Sequence, residues 1–207
     1  MRAVQKVTGR AVVLDRPNID TDQIIPAAWL KRVERTGFGP GLFSAWRNDP
    51  GFVLNQPGAD EAKILVAGPN FGCGSSREHA VWALQDFGFE AVIAPGFADI
   101  FRGNSIGAGL VTAQAAEETV TALVAALATD PDATVSVDVA ERTITVHASG
   151  GSGLTFDFAL PDYARWRLLE GLDDIGITLR HADEIAAFED QRPVWLPSSG
   201  PRTPAMT

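Results

Sequence analysis

Apolar positions fall into two alternating rhythms along the chain. Ile64–Ala67 and Ala91–Ala94 are short, unbroken apolar runs of the kind buried strands show. Leu110–Ala113 is a third. Between them Ala80, Val81, Ala83, Leu84 and Phe87 recur at helical spacing, and Phe97–Asn104 reads as a short helix. Residues 3–14 are rich in β-branched side chains and predict one or two strands. Ala115–Thr129 is alanine-rich, with Val120, Leu123, Val124 and Leu127 on one helical stripe. Thr134–Val139, Thr143–His147 and Leu154–Phe158 alternate strictly enough to form a β-meander, with Glu141-Arg142 and Ser149–Gly153 as its turns. Helices follow over Pro161–Gly171 and Thr178–Ile185. Short strands alternating with helices predict an α/β fold: a mixed central sheet, flanking helices and an additional meander.

The stretch Asn70-Phe-Gly-Cys-Gly-Ser-Ser-Arg-Glu-His-Ala80 joins the strand at 64–67 to the helix at 78–87. Gly72 and Gly74 admit unusual backbone dihedrals and a closely approaching ligand. Ser75 or Ser76 suits the helix N-cap. Free amides at a helix start favour an anion, and the Arg77 guanidinium has the fork that fits a carboxylate. These residue types together predict a small-anion site with a serine beside the anion. A dinucleotide fingerprint would need glycine where Arg77 stands, and neither Gly-Lys-Ser/Thr nor Gly-x-Ser-x-Gly occurs in the turn. Cys73 with His79 is a possible nucleophile pair, but no orienting residue is evident.

Composition narrows the partners. A chain of 207 residues, 45% hydrophobic and 21% charged, can bury a substantial core. No apolar run approaches the ~20 residues of a membrane span, and the N-terminus lacks a secretory h-region. The net charge of −9 argues against nucleic acid as a partner. A single cysteine fits a reducing cytoplasm and cannot by itself hold an iron–sulfur cluster.

Gly-x-Gly-Ser-Ser-Arg-Glu-His-Ala resembles the signature of the aconitase superfamily's swivelling domain. The longer run Asn70 to Leu84, with Asn18-Ile-Asp-Thr-Asp-Gln-Ile-Ile-Pro26 and Trp166–Ile175, is similar to the small subunits of bacterial 3-isopropylmalate dehydratases. The resemblance implies a swivelling-type β/β/α domain over residues 1–190 and an extended or disordered tail over 191–207. It implies a hydro-lyase of leucine biosynthesis that moves a hydroxyl between neighbouring carbons of a small hydroxy-dicarboxylic acid. By motif, Ser75 is the catalytic base, and Ser76 and Arg77 bind the substrate carboxylate. The stretch after the Thr-Asp motif contributes a further arginine, for which Arg32 and Arg35 are equal candidates. Thr21, Asp22, Gly72, Gly74 and Asn104 support the site; capping or turn formation accounts equally well for Asp20 and Asp22, and a helix C-cap for Asn104. The glycine-rich Gly37–Phe43 reads as a mobile lid. No residue of this chain is expected to bind metal. The 4Fe–4S cluster that the family uses would be held by a separate large subunit. A related two-chain hydro-lyase acting on homocitrate or citraconate-type acids is the near alternative; a non-catalytic anion-binding module is the distant one.

Overall fold

The computed structural model describes residues 1–31, 34–151, 153–193 and 195. It divides into two compact units, Met1–Asp173 and Asp174–Thr207. The sequence expectation of a tail from residue 191 rests on the Pro-, Ser- and Gly-rich composition after Asp190. In the second unit Ile175, Leu179 and Ile185 are exposed. The second unit consists of helices Asp174–Leu179 and Ala182–Asp190, broken at Arg180-His181 where a single helix is expected. Most of the 191–207 tail lies outside the described residues.

Among its described residues the first unit contains eight strands, β1 Lys6–Gly9, β2 Ala11–Leu14, β3 Ile64–Ala67, β4 Ala91–Ala94, β5 Val111–Gln114, β6 Thr134–Asp138, β7 Thr143–His147 and β8 Gly153–Asp157. Its helices are α1 Thr21–Ile24, α2 Glu78–Phe87, α3 Asp99–Ala108, α4 Glu117–Thr129 and α5 Asp162–Glu170. The α/β class is as expected, and the strands sort into two sheets. One is parallel, in the order β2-β3-β4-β5; the other is antiparallel, β1-β6-β7-β8. The central sheet is therefore parallel rather than mixed. Its antiparallel neighbour recruits β1 across the chain, pairing Lys6 with Asp138 and Gly9 with Val135.

Burial explains this layering. Every residue of β3 and β4 is buried, as a parallel sheet covered on both faces requires. Ile64, Val66, Ala91, Ile93 and Val111 meet Val7, Val135, Val137 and Ile144 of the antiparallel sheet in one core. Leu65, Ala67, Val92 and Ala94 point the other way. They pack on Ala80, Val81, Leu84 and Phe101 of α2 and α3, with Phe38, Leu42 and Phe43 alongside. Each fully buried aliphatic contributes about 1.5–3 kcal/mol against the entropy of ordering the chain. The result is a β/β/α stack.

Two expectations change here. α3 runs through Asn104 to Ala108 and closes at Gly109, whose φ of 87° provides the left-handed cap. Asn104 therefore sits within the helix and is not its cap. Residues 38–43 form no free lid either: Phe38, Leu42 and Phe43 are fully buried, and the Phe38 N–H donates to Asp86 Oδ2 at 2.8 Å. The glycines here serve close approach. A Cβ at Gly39 would lie 2.9 Å from the Asp86 carbonyl, and one at Gly41 would lie 2.5 Å from Ile25 Cδ1.

Candidate functional site: the turn after β3

Parallel strands deliver their outgoing connections to one edge of the sheet. The connections after β2, β3 and β4 are sewn together there by backbone hydrogen bonds. Asn18 N–H donates to the Pro69 carbonyl at 2.9 Å, and Gly72 N–H to Ile19 at 2.8 Å. Thr21 N–H donates to Cys73, Phe71 N–H to Gly96, and Ala98 N–H to Phe71. Between side chains, Asn70 Nδ2 donates to Asn18 Oδ1 at 2.8 Å. The Asn18–Pro26 motif and the Asn70–Ala80 motif, remote in sequence, are thus one piece of structure.

Within the turn, Asn70, Gly72 and Gly74 all have positive φ (58°, 76° and 93°). Gly72 is doubly constrained, since a Cβ there would fall 2.2 Å from Cγ of Phe101. Phe101 packs edge-on against Phe71, with ring centroids 5.3 Å apart. Thr21, 1% exposed, donates from Oγ1 to the Ser75 carbonyl at 3.0 Å. Just ahead of it Asp20 caps α1: its Oδ1 accepts from Gln23 N–H while its own N–H donates to Gln23 Oε1, a reciprocal capping box.

The N-cap of α2 is Arg77, in extended backbone, and no side chain caps the helix. Neither serine occupies that position, in contrast to the sequence expectation, because the turn runs one residue further before helical dihedrals begin. Ser75 and Ser76 are consequently exposed, and neither hydroxyl has a hydrogen-bond partner among the described residues. No backbone carbonyl among the described residues accepts from the N–H groups of Ser75, Ser76, Glu78 or His79. Two exposed serines and several uncommitted amides therefore lie at the positive end of the α2 dipole, an arrangement complementary to a small anion.

Arg77 brings the positive charge. Its NH1 pairs with Asp22 Oδ1, and Arg77 is the more sheltered partner, 19% exposed against 55%. Arg77 carries five donors, so one bond to Asp22 orients the fork and leaves the rest for a ligand. This pairing, like the Thr21–Ser75 contact, is not specified by the sequence. Only the shared edge of the sheet brings residues 55 positions apart together. Burial, and after it the negative charge of Asp20, pushes the Cys73 thiol above its ordinary range, so it is protonated at neutral pH. His79 lies elsewhere, its ring against Phe38 at 5.3 Å and Trp82 at 4.7 Å. No hydrogen bond joins it to Cys73.

The remaining candidates are more dispersed. The Arg35 guanidinium lies over the Trp82 ring, 5.9 Å from its centroid, which places it beside α2. Arg32 is outside the described residues. Asn104 lies three residues beyond Phe101 on α3, and no side-chain hydrogen bond ties it to the turn. Arg102 is engaged with Asp99 at 2.8 Å and Gln114 at 3.3 Å. Among the described residues no three His, Cys, Asp or Glu side chains converge as a metal-binding group.

Removing the Thr21 hydroxyl tests how the turn is held. Thr21→Val is expected to cost about 1 kcal/mol, because the Ser75 carbonyl keeps its bond from Arg77 N–H. Thermal unfolding should show a fall of roughly 2–4 °C.

This sheet-and-turn arrangement is that of an aconitase-type C-terminal domain, and residues 1–118 match the family described as the Aconitase C-terminal domain. Residues 174–197 match the family described as the C-terminal domain of the 3-isopropylmalate dehydratase small subunit. The chain is 60% identical to the 3-isopropylmalate dehydratase small subunit of Frankia alni over 199 residues, covering 96% of this chain and 100% of that protein. It is 58% identical to the small subunit from Acidothermus cellulolyticus over 192 residues, covering 93% and 95%. The crystal structure of 3-isopropylmalate dehydratase from Methanocaldococcus jannaschii superposes with a TM-score of 0.64 at 26% identity, over 89% of this chain and 99% of that one. The chain belongs to the family of 3-isopropylmalate dehydratase small subunits.

Proposed function

We propose that the chain supplies the proton-transfer half of a two-chain hydro-lyase that interconverts 2-isopropylmalate and 3-isopropylmalate in the cytoplasm. The observation that carries this reading is the exposed Ser75 hydroxyl beside uncommitted amides and Arg77, in a chain so close to the dehydratase small subunits.

Dehydration removes a proton from one carbon and a hydroxide from its neighbour, leaving an alkene; rehydration reverses this with the positions exchanged. Ser75 Oγ, as the alkoxide, accepts the carbon-bound proton. A serine anion is costly at neutral pH, and in this reading the free N–H groups of the turn and the positive charge of Arg77 offset that cost. Ser76 and the remaining Arg77 donors hold the substrate carboxylate. Asp22 keeps the guanidinium turned, Thr21 holds the Ser75 carbonyl, and Gly72 and Gly74 give the turn its path. Asn104 and one of Arg32 and Arg35 complete the set; Arg35 lies over the Trp82 ring. The residues of this chain do not fit a 4Fe–4S cluster, which needs several thiolates where the sequence has only Cys73. In this reading the cluster, with the Lewis acidity it supplies, is held by the large subunit, and departure of the hydroxide falls to that chain.

The test is anaerobic reconstitution with a 3-isopropylmalate dehydratase large subunit, followed by hydration of the unsaturated acid. Turnover of the isopropyl-substituted acid supports the reading. Turnover of homocitrate-type or citraconate-type acids alone would transfer the protein to a sister hydro-lyase. Arg77→Lys keeps the charge and loses the fork, so kcat/KM should fall roughly 100-fold in the same assay.

A further inference from the structure

We infer that Ile100, at the start of α3, is an apolar anchor on which the large subunit seats. The inference rests on the two-chain reading above and extends it to a particular contact. Three large hydrophobic side chains of the first unit are exposed among the described residues: Ile100 at 56%, Leu154 at 51% and Tyr163 at 59%. Leu154 is on the edge strand β8 and Tyr163 is on α5. Only Ile100 belongs to the edge where the connections after β2, β3 and β4 are joined. Ala98 N–H donates to the Phe71 carbonyl at 3.0 Å, which fixes the start of α3 against the residue preceding Gly72.

This edge must be covered if the reaction is to occur. Ser75 is exposed on it, and the half of the chemistry this chain lacks has to reach the same substrate atoms. Any chain that does so must cross the surface around the turn. The connections that meet at this edge also carry the exposed Pro17 and Pro69, and beside Ile100 on α3 Asp99 pairs with Arg102, so an apolar side chain is available next to polar ones, as binding surfaces require. Among the described residues, Ile100 belongs to neither of the two buried clusters. Its neighbour Phe101 is 2% exposed and holds Gly72, so consecutive residues of one helix divide between the partner-facing surface and the floor of the turn.

The experiment compares Ile100→Asp, Ile100→Ser and Leu154→Asp with the wild-type full chain. Each is titrated anaerobically against the cluster-loaded large subunit by sedimentation, with circular dichroism as a check on folding. Both Ile100 variants are expected to fold normally and to raise the dissociation constant, Ile100→Asp by roughly 30-fold or more. At saturating large subunit, kcat should stay within about twofold of wild type, because Ile100 touches none of the proposed reacting groups. Leu154→Asp should assemble as wild type does. Wild-type affinity in both Ile100 variants, or an equal loss in Leu154→Asp, overturns the inference and leaves the two-chain reading standing. A loss of self-association without loss of large-subunit affinity overturns the assigned partner. If the wild-type chain neither assembles nor turns over, both readings fall together.

Discussion

Replacing Ser75 by alanine is expected to lower kcat of the assembled enzyme about 1,000- to 10,000-fold, the scale on which a positioned proton acceptor acts. KM should change little, since Ser76, Arg77 and the amides of the turn are left in place. The Ser75 hydroxyl is exposed and has no partner among the described residues, so its removal should shift stability by no more than about 0.5 kcal/mol. Large-subunit affinity should likewise be unaltered. Ser76→Ala provides the contrast: assigned to the carboxylate alone, it should raise KM roughly tenfold and spare most of kcat. Steady-state kinetics of both variants in the reconstituted enzyme settles the division of labour. Near-normal turnover by Ser75→Ala would remove the base assignment.

The second large effect concerns Gly72. In Gly72→Ala the new methyl group would occupy space 2.2 Å from Phe101 Cγ, at a φ of 76°. Left-handed backbone costs an alanine about 1–2 kcal/mol, and forcing Phe101 from its packed position adds about 1–3 kcal/mol. Together these approach half the stability of a marginal domain, which totals about 5–15 kcal/mol. Thermal unfolding should fall by about 10 °C, with activity lost as the turn shifts. Gly103→Ala is the internal control. No heavy atom lies within 4 Å of the point its Cβ would occupy, and it sits in α3, where alanine should be neutral or stabilise by about 1 kcal/mol.

The turn is legible in the sequence because its requirements are local. Glycines permit the path, amides and an arginine attract an anion, and the residues doing this are neighbours in the chain. β3, α2, β4 and β7 match their expected bounds for the same reason: each is a short segment whose own apolar pattern decides it. The misreadings involve contacts between distant segments. The pairing of β1 with β6 is set by register across the whole first unit, and no local pattern encodes it. Gly39 and Gly41 suggest mobility from sequence, whereas their lack of side chains lets Asp86 and Ile25 approach. The serines resemble caps because their chemistry suits capping. The Ser75 carbonyl is instead bound by Thr21 from the other motif, and helical dihedrals begin after Arg77. Asp22 and Arg77 each stand out as site residues in the sequence, but their union requires the fold.

The parallel sheet also acts as a partition. The cluster of buried side chains beneath the turn and the cluster shared with the antiparallel sheet lie on opposite sides of it. A packing defect around Val135 or Ile144 therefore has a four-stranded wall between itself and Ser75. Inherited damage on that side would show as a smaller yield of intact protein, each surviving molecule working at full speed. Damage on the α2–α3 side would be felt in every molecule.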